Sequence, residues 1–137
     1  MQLIPYLNFN GQCEAAFKFY EQCLGGKIVT MMTHGDSPIA KEVPPAWHSA
    51  IMHASLAVDD IVVLMASDRP PDQHSETKGS WVSIHIDDAA KGERIFKALV
   101  EGGTVQMPFT ETFWAAGFGM LVDRFGTPWM INCGRAA

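Results

Sequence analysis

Long apolar runs are missing from this chain. No stretch approaches the roughly 20 residues that a membrane-spanning helix needs, so no membrane partner is expected. A basic surplus is missing as well. The chain has 10 Lys and Arg against 15 Asp and Glu, a net charge of −5. A nucleic-acid surface would need a basic stripe, so no nucleic-acid partner is expected either. The first residues, MQLIPYLNF, lack the basic start and apolar centre of a signal peptide. Cysteine is scarce: Cys13, Cys23 and Cys133, none in a CxxC pair. Cys13 and Cys23 fall on one predicted helix, about 15 Å apart along its axis, beyond disulfide reach. An odd count without a secretion signal predicts reduced thiols and a cytoplasmic protein. A Gly-rich phosphate cradle is also lacking, because Gly117-Phe118-Gly119 is too short and sits in a strand context. The same lack argues against the cofactor loop of a methyltransferase.

What is present is an ordinary core-forming composition, 47% hydrophobic and 18% charged over 137 residues. That fits one domain, or two small modules sharing a core. The stretch NGQCEAAFKFYEQCLGGK, from Asn10 to Lys27, reads as a strand exit, an amphipathic helix and a Gly-Gly stop. The stretch DDAAKGERIFKALVEGGT, from Asp87, reads the same way. Asn10 matches Asp87, Phe19 matches Phe96, and Gly25-Gly26 matches Gly102-Gly103, all at an offset of 77.

Around these helices the pattern predicts strands over Leu3–Phe9, Lys27–Thr33, Ile51–Val58 and Ile61–Ala66 in the first half. Asp59-Asp60 is the hairpin turn. Asn10 or Gly11 is the expected cap of the first helix, and Ala15, Ala16, Phe19, Tyr20, Cys23 and Leu24 its buried stripe. His34 to Ala50, with three prolines, is a long loop of the kind that serves as a lid or binding element. In the second half, strands are expected over Trp81–Ile86, from Thr104 to a break at Pro108, within Phe113–Val122, and over Pro128–Cys133. Asp87 or Asp88 caps the second helix, whose stripe is Ala89, Gly92, Ile95, Phe96, Leu99 and Val100. The fold class is therefore α+β, a single domain of two βαβββ modules: about 1–68, a linker over 69–79, and about 80–137. Two such modules can share a concave sheet surface, which is the natural pocket.

PYLNFNG, Phe19-Tyr20 before LGG, HASL from His53, LMASD to Asp68 and ETFWAAGFGMLVDRFGTPWMIN from Glu111 to Asn132 carry a resemblance over nearly the whole chain. The sequence resembles the PhnB-like family of the vicinal oxygen chelate superfamily, which includes glyoxalase I, bleomycin-resistance proteins, fosfomycin-resistance enzymes and extradiol dioxygenases. The resemblance implies a glyoxalase/bleomycin-resistance-like cup-shaped sheet and a homodimer. It also implies a divalent metal held by His or Gln from a first strand and Glu from a closing strand. In this sequence those positions fall near Pro5, Trp81 and Met130. Shifting the register by one gives Tyr6, Val82 or Ile131. None of the expected residues suits a hard divalent ion, so no metal and no other cofactor is expected.

The candidate catalytic residue is His53, mid-strand among apolar neighbours, as a ligand donor or general base. Trp81, His85, Trp114, Phe118 and Trp129 are the candidate ligand-binding residues. Ser83 and His85 alternate with Trp81 on one strand face, and the aromatic residues could wall a pocket for a flat or apolar ligand. His48, beside Trp47 in the loop, could close over a ligand. Asp123 is expected to make a turn with the following backbone, and Asp68 to cap its strand end. The expected function is binding of a small organic molecule in a metal-free hydrophobic pocket, with or without turnover. The alternatives are a divalent-metal-dependent lyase or dioxygenase, and an interaction module whose hollow is filled by a partner or by its own loop.

Overall fold

The computed structural model describes residues 1–134. The chain forms two compact units, Met1–Ser75 and the part from Glu76 on. Each is a strand, a helix and three further strands, the βαβββ order the repeat predicts. The first unit holds β1 (Tyr6–Phe9), α1 (Cys13–Leu24), β2 (Lys27–Thr33), β3 (Ile51–Val58) and β4 (Ile61–Asp68). Its sheet runs β1-β4-β3-β2, with β1 parallel to β4 and the other pairs antiparallel. The second unit holds β5 (Val82–Ile86), α2 (Ala89–Val100), β6 (Thr104–Thr110), β7 (Gly117–Val122) and β8 (Pro128–Cys133). Its sheet runs β5-β8-β7-β6, with β5 parallel to β8. No helix is long and apolar enough to cross a membrane, among the described residues.

Each helix covers one face of its own sheet. Leu7, Phe9, Ala54, Leu56, Leu64 and Ala66 are buried on the α1 side of the first sheet. In the second unit, Leu121, Trp129, Ile131 and Cys133 are buried with Ile95, Phe96 and Leu99 of α2. Asp59 and Asp60 both adopt positive φ, 52° and 66°. Two consecutive left-handed residues make the type I′ turn that matches the twist of a two-residue hairpin.

The repeat is real, but its offset is not constant. β2 and β6 start at Lys27 and Thr104, an offset of 77. The helices run Cys13–Leu24 and Ala89–Val100, an offset of 76. Three residues join β1 to α1, and two join β5 to α2. One residue turns a helix by about 100°. The buried stripe of α1 is Cys13, Ala16, Phe17 and Tyr20, with Ala15 exposed and Phe19 half-buried, a rotation that the offset does not account for. The expected stripe through Phe19 shares Ala16 and Tyr20 with it, and periodicity alone allows both. In α2, Gly92, Ile95, Phe96 and Leu99 are buried as expected.

Several boundaries differ from expectation: β4 runs on to Asp68 rather than ending at Ala66, and β5 starts at Val82 rather than Trp81. β1 starts at Tyr6 rather than Leu3; Pro5 has no amide hydrogen to pair, although its carbonyl accepts from the Met65 amide at 3.0 Å. β6 runs through Pro108 to Thr110. It lies at a sheet edge, where a missing donor is tolerated, and its register shifts on either side of Met107. The helix α1 is not capped by Asn10 or Gly11. Its cap position is Gln12, whose side chain makes no capping bond.

Candidate functional site

Residues paired across a sheet point to the same side, and alternate residues share a side. On the face turned away from α1, the register places Tyr6 and Asn8 beside Met65 and Ser67 of β4, and Met65 beside Ser55 of β3. His53, two residues before Ser55, belongs to that face and pairs with Met32 of β2. The Tyr6 hydroxyl lies 3.2 Å from His53 Nδ1. The two rings stack with centroids 5.8 Å apart and planes 30° apart. A phenol in this position fixes the ring. If it donates to Nδ1, Nε2 carries a proton and offers a donor; if it accepts from Nδ1, Nε2 offers a lone pair. His53 is half-buried, and Nε2 makes no bond within the described residues. Arg69 reaches the same face, donating Nε to Asn8 Oδ1 at 3.3 Å.

In the second unit the face turned away from α2 carries Ser83 and His85 of β5, Met130 and Asn132 of β8, and Phe118 of β7. Ser83 Oγ and His85 Nε2 are 2.9 Å apart. Trp114 packs edge-on against Phe118, centroids 5.3 Å apart, and Phe113 against Trp114 at 4.8 Å. Trp81 lies just before β5 and is half-buried. Four of the five aromatic and imidazole candidates thus sit on or beside this face. Trp129 does not. It is 1% exposed, on the α2 side, and donates Nε1 to Asp123 Oδ2 at 2.9 Å. It is a core residue held by a buried carboxylate. Its neighbours Pro128 and Met130 do not reveal this in the sequence, because a one-residue change of register moves it to the other face.

Of the expected metal positions in the second unit, Met130 falls on the far face and brings a thioether, and Trp81, just before β5, brings an indole with no lone pair to offer. The first-strand position is Pro5 or the Tyr6 phenol already bonded to His53. Among the described residues no three His, Cys, Asp or Glu side chains gather in a group that could hold an ion. The donors present do not fit the divalent metal of the resemblance.

The β2–β3 loop is ordered by its own bonds. The His34 and Gly35 amides donate to the carbonyls of Ala50 and His48, both at 2.9 Å. His48 Nε2 lies 2.9 Å from the Ala40 carbonyl and 2.8 Å from that of Val43. Both partners are acceptors, so Nε2 carries the proton and stitches the loop together. His48 is therefore occupied inside the loop. Beneath the loop is a cavity of about 590 Å³, walled by His34, Val43, Trp47 and Met52 and by Ser67 and Arg69 at the end of β4. Both ring nitrogens of His34 and Nε1 of Trp47 are buried without a partner. Nothing in the sequence singles out His34 or Arg69, which stand in stretches that read as loop and linker.

Two buried aspartates hold the frame. Asp68, 4% exposed, accepts from the Cys13 amide at 2.9 Å through Oδ1 and from the Ile51 amide at 2.8 Å through Oδ2. Asp123, 3% exposed, accepts through Oδ1 from the Phe125 and Thr127 amides, at 2.8 and 3.0 Å, besides Trp129. Burial pushes the Cys13 thiol well above its ordinary range, and the charges of Asp68 and Glu14 add to the effect. Burial and Asp88 raise Cys133 in the same direction. Both stay protonated at neutral pH and are not nucleophiles.

Comparison with known proteins places this arrangement. Residues 3–131 match the model of the family described as Glyoxalase/Bleomycin resistance protein/Dioxygenase superfamily. The chain is 34% identical over 140 residues to Protein YjdN of Escherichia coli strain K12, covering 96% of this chain and 95% of that one. It is 49% identical to the crystal structure of protein PA1353 from Pseudomonas aeruginosa, with 99% of both chains covered and a TM-score of 0.89. It is similar in fold to a PhnB protein from Bacillus cereus, described as a putative 3-demethylubiquinone-9 3-methyltransferase. That match has a TM-score of 0.81 at 20% identity, over 98% of this chain and 100% of the other.

Proposed function

We propose a metal-independent role for this chain, which belongs to the Glyoxalase/Bleomycin resistance protein/Dioxygenase superfamily: it binds a small organic molecule against the far face of the first sheet, with His53 as the polar contact. The Tyr6–His53 pair is the observation that carries the reading. Tyr6 is one residue from Pro5, near which the resemblance calls for a first-module metal ligand, and the pair supplies a polarising group of another kind. An imidazole held by a phenol can donate a hydrogen bond to a substrate oxygen or take a proton from it. Placement in the PhnB-like branch is part of the same proposal, supported by the long closing motif from Glu111 to Asn132.

The test is a thermal-shift screen of small metabolites in the presence of a chelator. A ligand at one hundred times its Kd stabilises the folded state by about 2.7 kcal/mol, enough to register. We expect binders in chelator, and loss of their shift in His53→Ala while the unliganded melting temperature is nearly kept. Binders that appear only after zinc or manganese is added would instead support the lyase or dioxygenase alternative. A shift that survives His53→Ala would remove His53 from the site.

A further inference from the structure

We propose that the cavity beneath the β2–β3 loop is a binding site for a small carboxylic acid with an apolar body. The inference goes beyond the role given to His53, because the walls use other side chains. Buried polar groups in folded proteins are almost always paired, and each exception calls for an explanation. The first unit follows the rule closely elsewhere: both oxygens of buried Asp68 are taken by backbone amides. Yet among the described residues the unpaired buried side-chain atoms belong to just two residues, His34 and Trp47, and both line this cavity. Leaving each such group unpaired costs about 1–3 kcal/mol. That cost falls on the walls of one cavity.

The unpaired groups say what is wanted. An indole Nε1–H is a donor only, so Trp47 needs an acceptor. A neutral imidazole brings one donor and one acceptor, so His34 needs at least one acceptor too. Arg69 adds a guanidinium at the cavity wall. Only its Nε is engaged by a side chain, through Asn8, and its terminal nitrogens have no partner among the described residues. Asp68 makes no ion pair with it among the described residues; its oxygens are turned to the Cys13 and Ile51 amides. Glu42, the other acid on the wall, is exposed like Arg69 and makes no ion pair with it among the described residues. The unpaired nitrogens of His34 and Trp47 thus lie in the cavity wall, closed to solvent, with the exposed Arg69 guanidinium on the same wall; a carboxylate entering as these side chains turn toward it is the group that satisfies them together. Val43, Pro44, Met52 and Pro70 supply apolar wall for the rest of the ligand. A volume of about 590 Å³ suits a small organic acid, since ligand pockets span roughly 300–1,000 Å³.

The indole resonances of the full chain test this directly by two-dimensional proton–nitrogen NMR. Trp47→Phe identifies the Trp47 signal, and Trp129, bonded to Asp123, is the internal reference. Phenylacetate at millimolar concentration is expected to move the Trp47 resonance downfield in a saturable way, leaving Trp129 in place. Phenylacetamide should bind more weakly and benzylamine should not compete. Arg69→Gln should weaken phenylacetate about tenfold or more, the range expected for a lost charge-assisted bond, with the Trp129 signal unchanged as evidence of an intact fold. His53→Ala should leave this response as it is, so failure here and failure of the His53 reading can be told apart. A Trp47 resonance indifferent to phenylacetate, an equal response to benzylamine, or no loss in Arg69→Gln would overturn the proposal.

Discussion

In the first unit, α1 begins without a cap of its own, and the amide of Cys13 is met by Asp68, which lies 55 residues further along at the end of β4. In the second, α2 begins on Asp88, whose Oδ1 accepts from the amides of Ala90 and Lys91 at 3.0 and 3.1 Å. The pairings Phe9↔Asp68 and Ile86↔Cys133 show that Asp68 and Cys133 hold the same place in the two sheets. So one unit closes its helix start with a long-range buried carboxylate. The other uses a local exposed one, and fills the equivalent place with a thiol packed against Gly92. A helix leaves four amides unsatisfied at its start, and either solution answers the need. They differ in what else they do. Asp68 also takes the Ile51 amide, so it ties the helix start to the beginning of β3 and to the loop above the cavity. Among the described residues, Asp88 ties nothing beyond its own turn.

The comparison makes an ordered set of predictions. Asp68→Ala strands two buried amides and should cost about 3 kcal/mol or more. Urea denaturation would give the loss, and amide hydrogen exchange should place it at α1 and β3. A loss under 1 kcal/mol would mean that the long-range staple is dispensable. Gly92→Ala is next. A Cβ there would overlap Cys133 Sγ, with Ile131 and Ile86 close behind. Overpacking of this kind costs about 2 kcal/mol. Adding Cys133→Ala should recover part of it, so the double variant should lose less than the two single losses combined. Asp88→Ala removes only a local cap and should cost about 1 kcal/mol. If Asp88→Ala costs as much as Asp68→Ala, the contrast between the units fails.

The differences between pattern and structure have the same root as the contrast. Gly92 and Ala16 occupy the same helix position once the offset of 76 is used, and both are buried. Letter-by-letter matching at 77 hides this, because the missing residue lies in the connection before α2 and is restored after it. Gly117 and Gly119 were legible as sites of close approach. The structure supplies the reason: the Phe109 ring lies where a side chain at Gly117 would stand, and Phe96 where one at Gly119 would. The partner strand could not be read, since β6 continues past Pro108 only because it is an edge. At the candidate site, His53 was legible as a polar residue in an apolar strand. Its partner Tyr6 was not, because the pair is made 47 residues apart, with β4 lying between their strands.

By itself the sequence determined what depends on a few neighbouring residues: two βαβββ units in order, the Asp88 cap, the Asp59-Asp60 turn, the Asp123 turn and the closing motif of the family. Helical period, turn geometry and capping act within a handful of positions, and those positions are written side by side. Only the tertiary structure decided that Phe17 rather than Phe19 is buried, that Trp129 faces α2, that Asp68 holds α1, and that His34, Trp47 and Arg69 meet around one cavity. Each of these follows from strand register and helix rotation. Contacts between distant segments set both, and a shift of one residue in either would reverse the outcome.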